Sequence, residues 1–320
     1  MSSSRARGED RESTRGLPGP GLTGFLTLVV LLLVGGLVPS QALAKPLCTS
    51  FYGGFDGWLR SDANRDLYNG IAFAAIGGAV SLGGNSGQRW SAVNSLDGNA
   101  RSDLRLKKPG ARRRADLASD ITLVSSLAVL PVLSITAQQV RTGDCEESWD
   151  MATDFVEAFG LSLMLSESIK LASGRARPFT RECGPGAPSD ASCRGSDRFR
   201  SFVSGHATLA ATGAGLTCAW SVKRQAWGKS RLARAVPCGV GMTLALATGT
   251  LRVTADRHWL TDVIAGLAIG GTVGWFDTWG PFDLLRYESA PGPNGTPARF
   301  GFVMPAVVEG GPGIRAAFVF

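Results

Sequence analysis

The chain contains two histidines, His206 and His258, and each stands beside other residues able to handle an anion or a proton. In LRVTADRHWLTD, Leu251 to Asp262, His258 and Asp262 are four apart. On a helix that spacing sets the carboxylate over the imidazole, where a bond to one ring nitrogen makes the other a better base or nucleophile. Arg252 lies in the same stretch. In SFVSGHAT, Ser201 to Thr208, Ser204 and Gly205 precede an apolar run. The backbone N–H groups of a helix start would attract an anion there, Gly205 would let it approach closely, and His206 would stand beside it. In KLASGRARP, Lys170 to Pro178, Lys170 and Arg177 are seven apart and would share a face if the helix continued. Gly174 and Pro178 argue for a helix end nearby. Each stretch alone has an ordinary alternative: a surface i,i+4 contact, a serine cap beside an incidental histidine, and cations balancing a helix C-terminus.

Taken together and in order, the three stretches resemble the type 2 phosphatidic acid phosphatase/haloperoxidase superfamily, whose signature is KxxxxxxRP, PSGH and SRxxxxxHxxxD. Lys170, Arg177 and Pro178 complete the first part, Ser204-Gly205-His206 match the second, and Arg252, His258 and Asp262 match the third. Val203 replaces the proline and Leu251 the leading serine, so one hydroxyl is lost but no reacting group. The resemblance covers roughly residues 60–276. It implies metal-independent hydrolysis of phosphate monoesters or lipid phosphates through a phosphohistidine, with no cofactor. By position, His258 is the implied nucleophile, Asp262 orients it, and His206 is the general acid and base. Lys170, Arg177, Ser204, Gly205 and Arg252 are the implied phosphate-binding residues. The same pocket in this superfamily serves vanadium-dependent haloperoxidases, which is one alternative. A non-catalytic envelope protein that binds phosphate or a phospholipid head group is another.

The elements that must position these residues read as all-α. Six segments have helical length and apolar content, approximately 67–82, 117–140, 150–172, 206–223, 234–252 and 258–276. Runs such as DVIAGLAIGGTVG would permit close helix packing. The polar, basic stretch from Gly84 to Arg114 reads as a loop. Beyond Pro281, RFGFVMPAVV and IRAAFVF alternate around EGGPG, which predicts a small C-terminal β-hairpin appendage to the six-helix bundle. The expected domains are a leader over 1–44, a helical domain over 45–280 and an extension over 281–320.

The leader reading rests on Arg5, Arg7, Arg11 and Arg15 ahead of an apolar run and on Ala42-Leu43-Ala44, a small-x-small cleavage pattern. An uncleaved membrane anchor is the alternative. The six cysteines all follow that cut, which suits disulfides in an exported chain, with Cys183–Cys193 the expected pair. Without CxxC and with two histidines, a zinc site is not expected. The 33 basic residues, for a net charge of +7, scatter through loops and give nucleic-acid binding little support. Several uncharged runs are long enough to span a bilayer, but Asp154, Glu157 and Glu167 in the third segment are costly in lipid. The basic loops at 101–114 and 223–234 would also face opposite sides. The balance favours a soluble exported bundle, periplasmic or at the cell envelope, with an integral membrane protein as the alternative. Oligomeric state is not legible.

Overall fold

Helix boundaries in this chain follow its cap residues. The computed structural model describes residues 62–83, 87–184, 193, 195–278, 301–308 and 311–318. The expected leader lies outside the described residues. The α-helices are α1 (Asp62–Gly83), α2 (Ser95–Leu104), α3 (Pro109–Val124), α4 (Leu130–Thr142), α5 (Cys145–Ser173), α6 (Gly205–Ala219), α7 (Arg231–Thr254) and α8 (Leu260–Asp277). A π-helical turn, Ser125–Val129, joins α3 to α4. Pro131 follows it and has no N–H to give to the ladder, which accounts for the local widening. Strands β1 (Gly301–Val308) and β2 (Gly311–Phe318) pair antiparallel, with Gly301 opposite Phe318 and Val308 opposite Gly311.

Two expectations need correction here. The stretch from Gly84 to Arg114 is not all loop: it contains α2 and the start of α3. Asn94 caps α2 by accepting the Asp97 N–H at 2.7 Å. Asp97 is itself buried and accepts from the backbone N–H of Thr261 at 2.8 Å. Tertiary contacts thus stabilise a helix too short and polar to be predicted. The second correction concerns the face shown to the surroundings. Helices α3–α4 and α7 are long and apolar enough to cross a membrane, and their apolar windows are only 39% and 28% buried. The core helix of a soluble protein would be mostly buried. Leu117, Ile121, Val129, Leu133 and Val140 on α3–α4, and Leu232, Val236, Val240 and Leu246 on α7, are all exposed. An apolar face of this extent favours membrane association over the soluble bundle.

Close helix approach brings the chemistry-bearing segments together. Gly266, Gly270 and Gly274 repeat every four residues on α8 and face Ser204, Thr208 and Thr212 of α6. A Cβ at Gly270 would lie 1.8 Å from the Thr208 carbonyl oxygen, and one at Gly274 2.1 Å from that of Thr212. The two helices therefore pack backbone to backbone, so the start of α6 lies beside the start of α8. A disulfide, Cys218–Cys238, ties α6 to α7, and Cys183 is bonded to Cys193. Gly270→Ala should lower stability by about 1–3 kcal/mol or prevent folding, since no side-chain motion relieves a clash with backbone. Gly271→Ala, where a Cβ meets nothing within 4 Å, should leave the melting temperature unchanged or raised. Thermal unfolding of the two variants checks this.

Candidate active site

Four helix termini converge at one end of the bundle. Helix α5 ends one turn after Lys170 because Gly174 takes a left-handed conformation, φ +54°, and returns its N–H to the Lys170 carbonyl at 3.2 Å. Lys170 and Arg177 therefore do not share a helix face. Arg177 lies in the extended segment beyond, just before a 3₁₀ turn, Pro178–Glu182. Ser204 caps α6, with its hydroxyl accepting the Ala207 N–H at 3.4 Å. Its own N–H donates to the Asp262 carbonyl at 3.0 Å, which joins the α6 start to α8. Arg252 stands in the last turn of α7. The turn after α7 is fixed by Asp256, buried at φ +62° and gripped by Arg101 at 2.7 Å and Arg105 at 2.9 Å.

His258 follows that turn and precedes α8, so it is not on a helix with Asp262. This alters the expected pairing. Its Nδ1 lies 2.8 Å from the Ser201 carbonyl oxygen but 3.7 Å from the nearest Asp262 oxygen. A carbonyl can only accept, so Nδ1 carries the proton and Nε2 has the free lone pair. Nε2 faces the Arg177 guanidinium at 3.3 Å. Asp262 acts one step removed. It accepts from the Ser201 hydroxyl at 2.5 Å, from the Trp259 N–H at 3.0 Å and from Arg175, and so holds the segment whose carbonyl orients the imidazole. Arg175, 1% exposed, is shared between Asp262 and Asp97 and lies 4.1 Å over the Trp90 ring. It is a buried strut.

Lys170, Arg177, Arg252 and His206 stand about His258, each paired with a carboxylate. The Lys170 ammonium meets Glu167 at 2.5 Å, and Glu167 also accepts from Arg200 at 2.7 Å. Arg177 donates to the Asp197 carboxylate at 2.9 Å and to the Asp197 carbonyl at 3.0 Å. Arg252 pairs with Asp116 at 2.5 Å, and His206 Nε2 lies 2.8 Å from Asp120. Asp116 and Asp120 are four apart on α3, which is the one signal that could have marked them as a face. Gly205 leaves room for its neighbour: a Cβ there would lie 2.6 Å from the Lys170 nitrogen. Val203 is fully buried.

Burial, reinforced by Arg177, Arg252, Lys170 and His206, holds the His258 pKa well below the usual 6.5. The folded state then binds fewer protons than the unfolded state in acid. His258 thus costs nothing above pH 6.5 and lowers stability as pH falls below it, by at most about 1.4 kcal/mol per pH unit. His258→Gln should flatten that acid-side slope of melting temperature against pH. An unchanged slope would overturn the assignment.

The arrangement offers the unprotonated Nε2 of His258, three cations and a helix start within a single cluster, beside His206, whose pKa burial and Arg252 lower to about 4. That combination can hold a tetrahedral oxyanion and attack its central atom. The PAP2 superfamily matches residues 152–285, which include every predicted site residue. Among solved structures, the chain is similar to a crystal structure described as the first transmembrane PAP2 type phosphatidylglycerolphosphate phosphatase, from Bacillus subtilis. The identity is 16%, the TM-score 0.40, and the match covers 83% of this chain and 98% of that one. No curated protein matches the chain.

Proposed function

We propose, from the match of residues 152–285 to the PAP2 superfamily, that the chain is a phosphatase acting on phosphate monoesters or lipid phosphates at a membrane surface. The observation that carries this reading is the His258 tautomer. With its Nδ1 proton committed to the Ser201 carbonyl, Nε2 is a nucleophile set against Arg177.

In the proposed reaction Nε2 attacks phosphorus, the P–N bond forms and the bond to the ester oxygen breaks. Protonated His206 gives a proton to the departing oxygen, a step that acid pH favours because burial and the nearby Arg252 lower its pKa to about 4, then takes one from the water that cleaves the P–N bond. Inorganic phosphate leaves and the neutral imidazole returns. Lys170, Arg177 and Arg252, with the Gly205 N–H and the Ser204 hydroxyl, hold the equatorial oxygens as charge spreads over them. Arg252 Nε supports its part: it is buried with no hydrogen-bond partner among the described residues, and a phosphate oxygen would satisfy it. Asp120 keeps His206 oriented through Nε2. The exposed apolar faces of α3–α4 and α7 favour a lipid phosphate presented from the bilayer.

The test is phosphate release, in the presence of a chelator, from a water-soluble aryl phosphate and from phosphatidate in mixed micelles. Turnover of either supports the reading. If neither is hydrolysed and His258→Ala binds phosphate as the parent does, the site is a binding site and catalysis is refuted.

A further inference from the structure

The same end of the bundle carries a concentration of positive charge that the proposed chemistry does not use. Arg105, Lys107, Lys108, Arg112, Arg113 and Arg114 fall within ten residues, spanning the end of α2 and the first turns of α3. The first turn of α3 contains no acid and α3 has no side-chain cap, so three successive arginines stand at the positive end of a helix dipole. Nothing within the described fold offsets most of this charge. Arg101 and Arg105 are committed to Asp256, and one half-exposed carboxylate, Glu182, is shared by Arg101, Arg105 and Arg112. The side chains of Lys107, Lys108, Arg113 and Arg114 make no ion pair or hydrogen bond among the described residues, and all four residues are exposed.

Two further observations say what should cover this surface. A cavity of about 310 Å³ opens beside it, lined by Gly98, Arg101, Ser102, Arg105, Lys107 and Arg181, with four cations and no carboxylate in its wall. Continuing along the outer side of α3–α4, Arg113 is followed by exposed Leu117, Ile121, Val129, Leu133 and Val140. From Leu117 to Val140 this apolar stripe is about 35 Å long at 1.5 Å per residue, close to the hydrocarbon thickness of a bilayer. The cations thus lie where lipid headgroups begin. Asp116 and Asp120, which face Arg252 and His206, are one to two turns further along the same helix.

We infer that the surface formed by Lys107, Lys108, Arg113 and Arg114, with the adjoining arginine-lined cavity, docks the headgroups of anionic phospholipids at the mouth of the site. Anionic headgroups complete the charge balance that the fold leaves open, and they anchor α3 at the depth that brings the site to the membrane surface. The inference stands on charge placement and the apolar stripe. It does not depend on catalysis.

The experiment uses the full chain in neutral detergent micelles, titrated with brominated phosphatidylglycerol or brominated phosphatidylcholine and read by tryptophan quenching. The parent should prefer the anionic lipid by about tenfold or more, and the preference should collapse in high salt. In Lys107→Gln/Lys108→Gln/Arg113→Gln/Arg114→Gln the preference should fall to less than about threefold, with turnover of a soluble monoester unchanged. Cations at the opposite end, such as Lys229 and Arg231, contribute equally to both proteins, so the difference is the readout. A second variant, Arg113→Glu/Arg114→Glu, places acids at a helix start, where they favour folding, and should abolish the preference as well. Equal lipid preference in parent and variants, or competition by inorganic phosphate as effective as that by phosphatidylglycerol, overturns the inference.

Discussion

His258→Ala should lower kcat for phosphate release by about a thousandfold or more while leaving phosphate binding largely intact. The substitution removes the group whose Nε2 lies 3.3 Å from Arg177, while the other histidine, His206, is held by Asp120. Lys170, Arg177 and Arg252 keep their carboxylate partners, so the anion cradle persists. Rapid acid-free quenching of the parent with labelled substrate should trap an acid-labile phosphoenzyme that the variant lacks. A variant that retained even a tenth of the parent turnover would show that His258 is not the nucleophile. His206→Ala in the same assay should instead leave the phosphoenzyme detectable with a substrate whose leaving group needs no proton, since His206 acts on the leaving oxygen.

Asp262→Ala should be damaging for a different reason, and its effect should divide between stability and rate. Asp262 is fully buried and receives Arg175, the Ser201 hydroxyl and the Trp259 N–H together. Removing it leaves the Arg175 guanidinium with Asp97 as its sole carboxylate partner, and breaking a buried pair costs about 3–5 kcal/mol. It also frees the segment around Ser201, whose carbonyl orients His258, so kcat should fall along with the melting temperature. Asp262→Asn separates the two roles. It keeps an acceptor for Ser201 and Trp259 while losing the charge that Arg175 needs, so it should unfold early yet retain more activity per folded molecule than the alanine variant. If Asp262 bonded His258 directly, Asn would impair kcat as severely as Ala. Melting curves and kcat of the two variants, normalised to folded protein, distinguish the cases.

The three stretches that meet at one end of the bundle were legible in the sequence, and most of their ion pairs were not. Lys170, Arg177, Ser204, Gly205, His206, Arg252, His258 and Asp262 stand in three stretches whose internal spacing is local, and the structure gathers all three at one end of the bundle. The spacing rule failed for His258 and Asp262 because it assumes a helix through both. The helix begins at Leu260, and the imidazole turns to a carbonyl 57 residues away in sequence. The counter-ions of Arg252 and His206 failed for the same reason of distance. Asp116 is separated from Arg252 by 136 residues, and Asp120 from His206 by 86.

What the sequence determined by itself was local: cap residues, glycine spacing, apolar runs of helical length and three sets of reactive side chains. Those depend on interactions within a few residues, which the order of amino acids states directly. Tertiary structure decided which side of each helix is covered, and therefore that the apolar residues of α3–α4 and α7 face outward. It decided as well that α2 folds, held by Asp97 against Thr261. Apolar composition is the same whether a helix is buried in protein or in lipid, and an ion pair across a bundle leaves no mark in the order of residues. Only packing separates those cases.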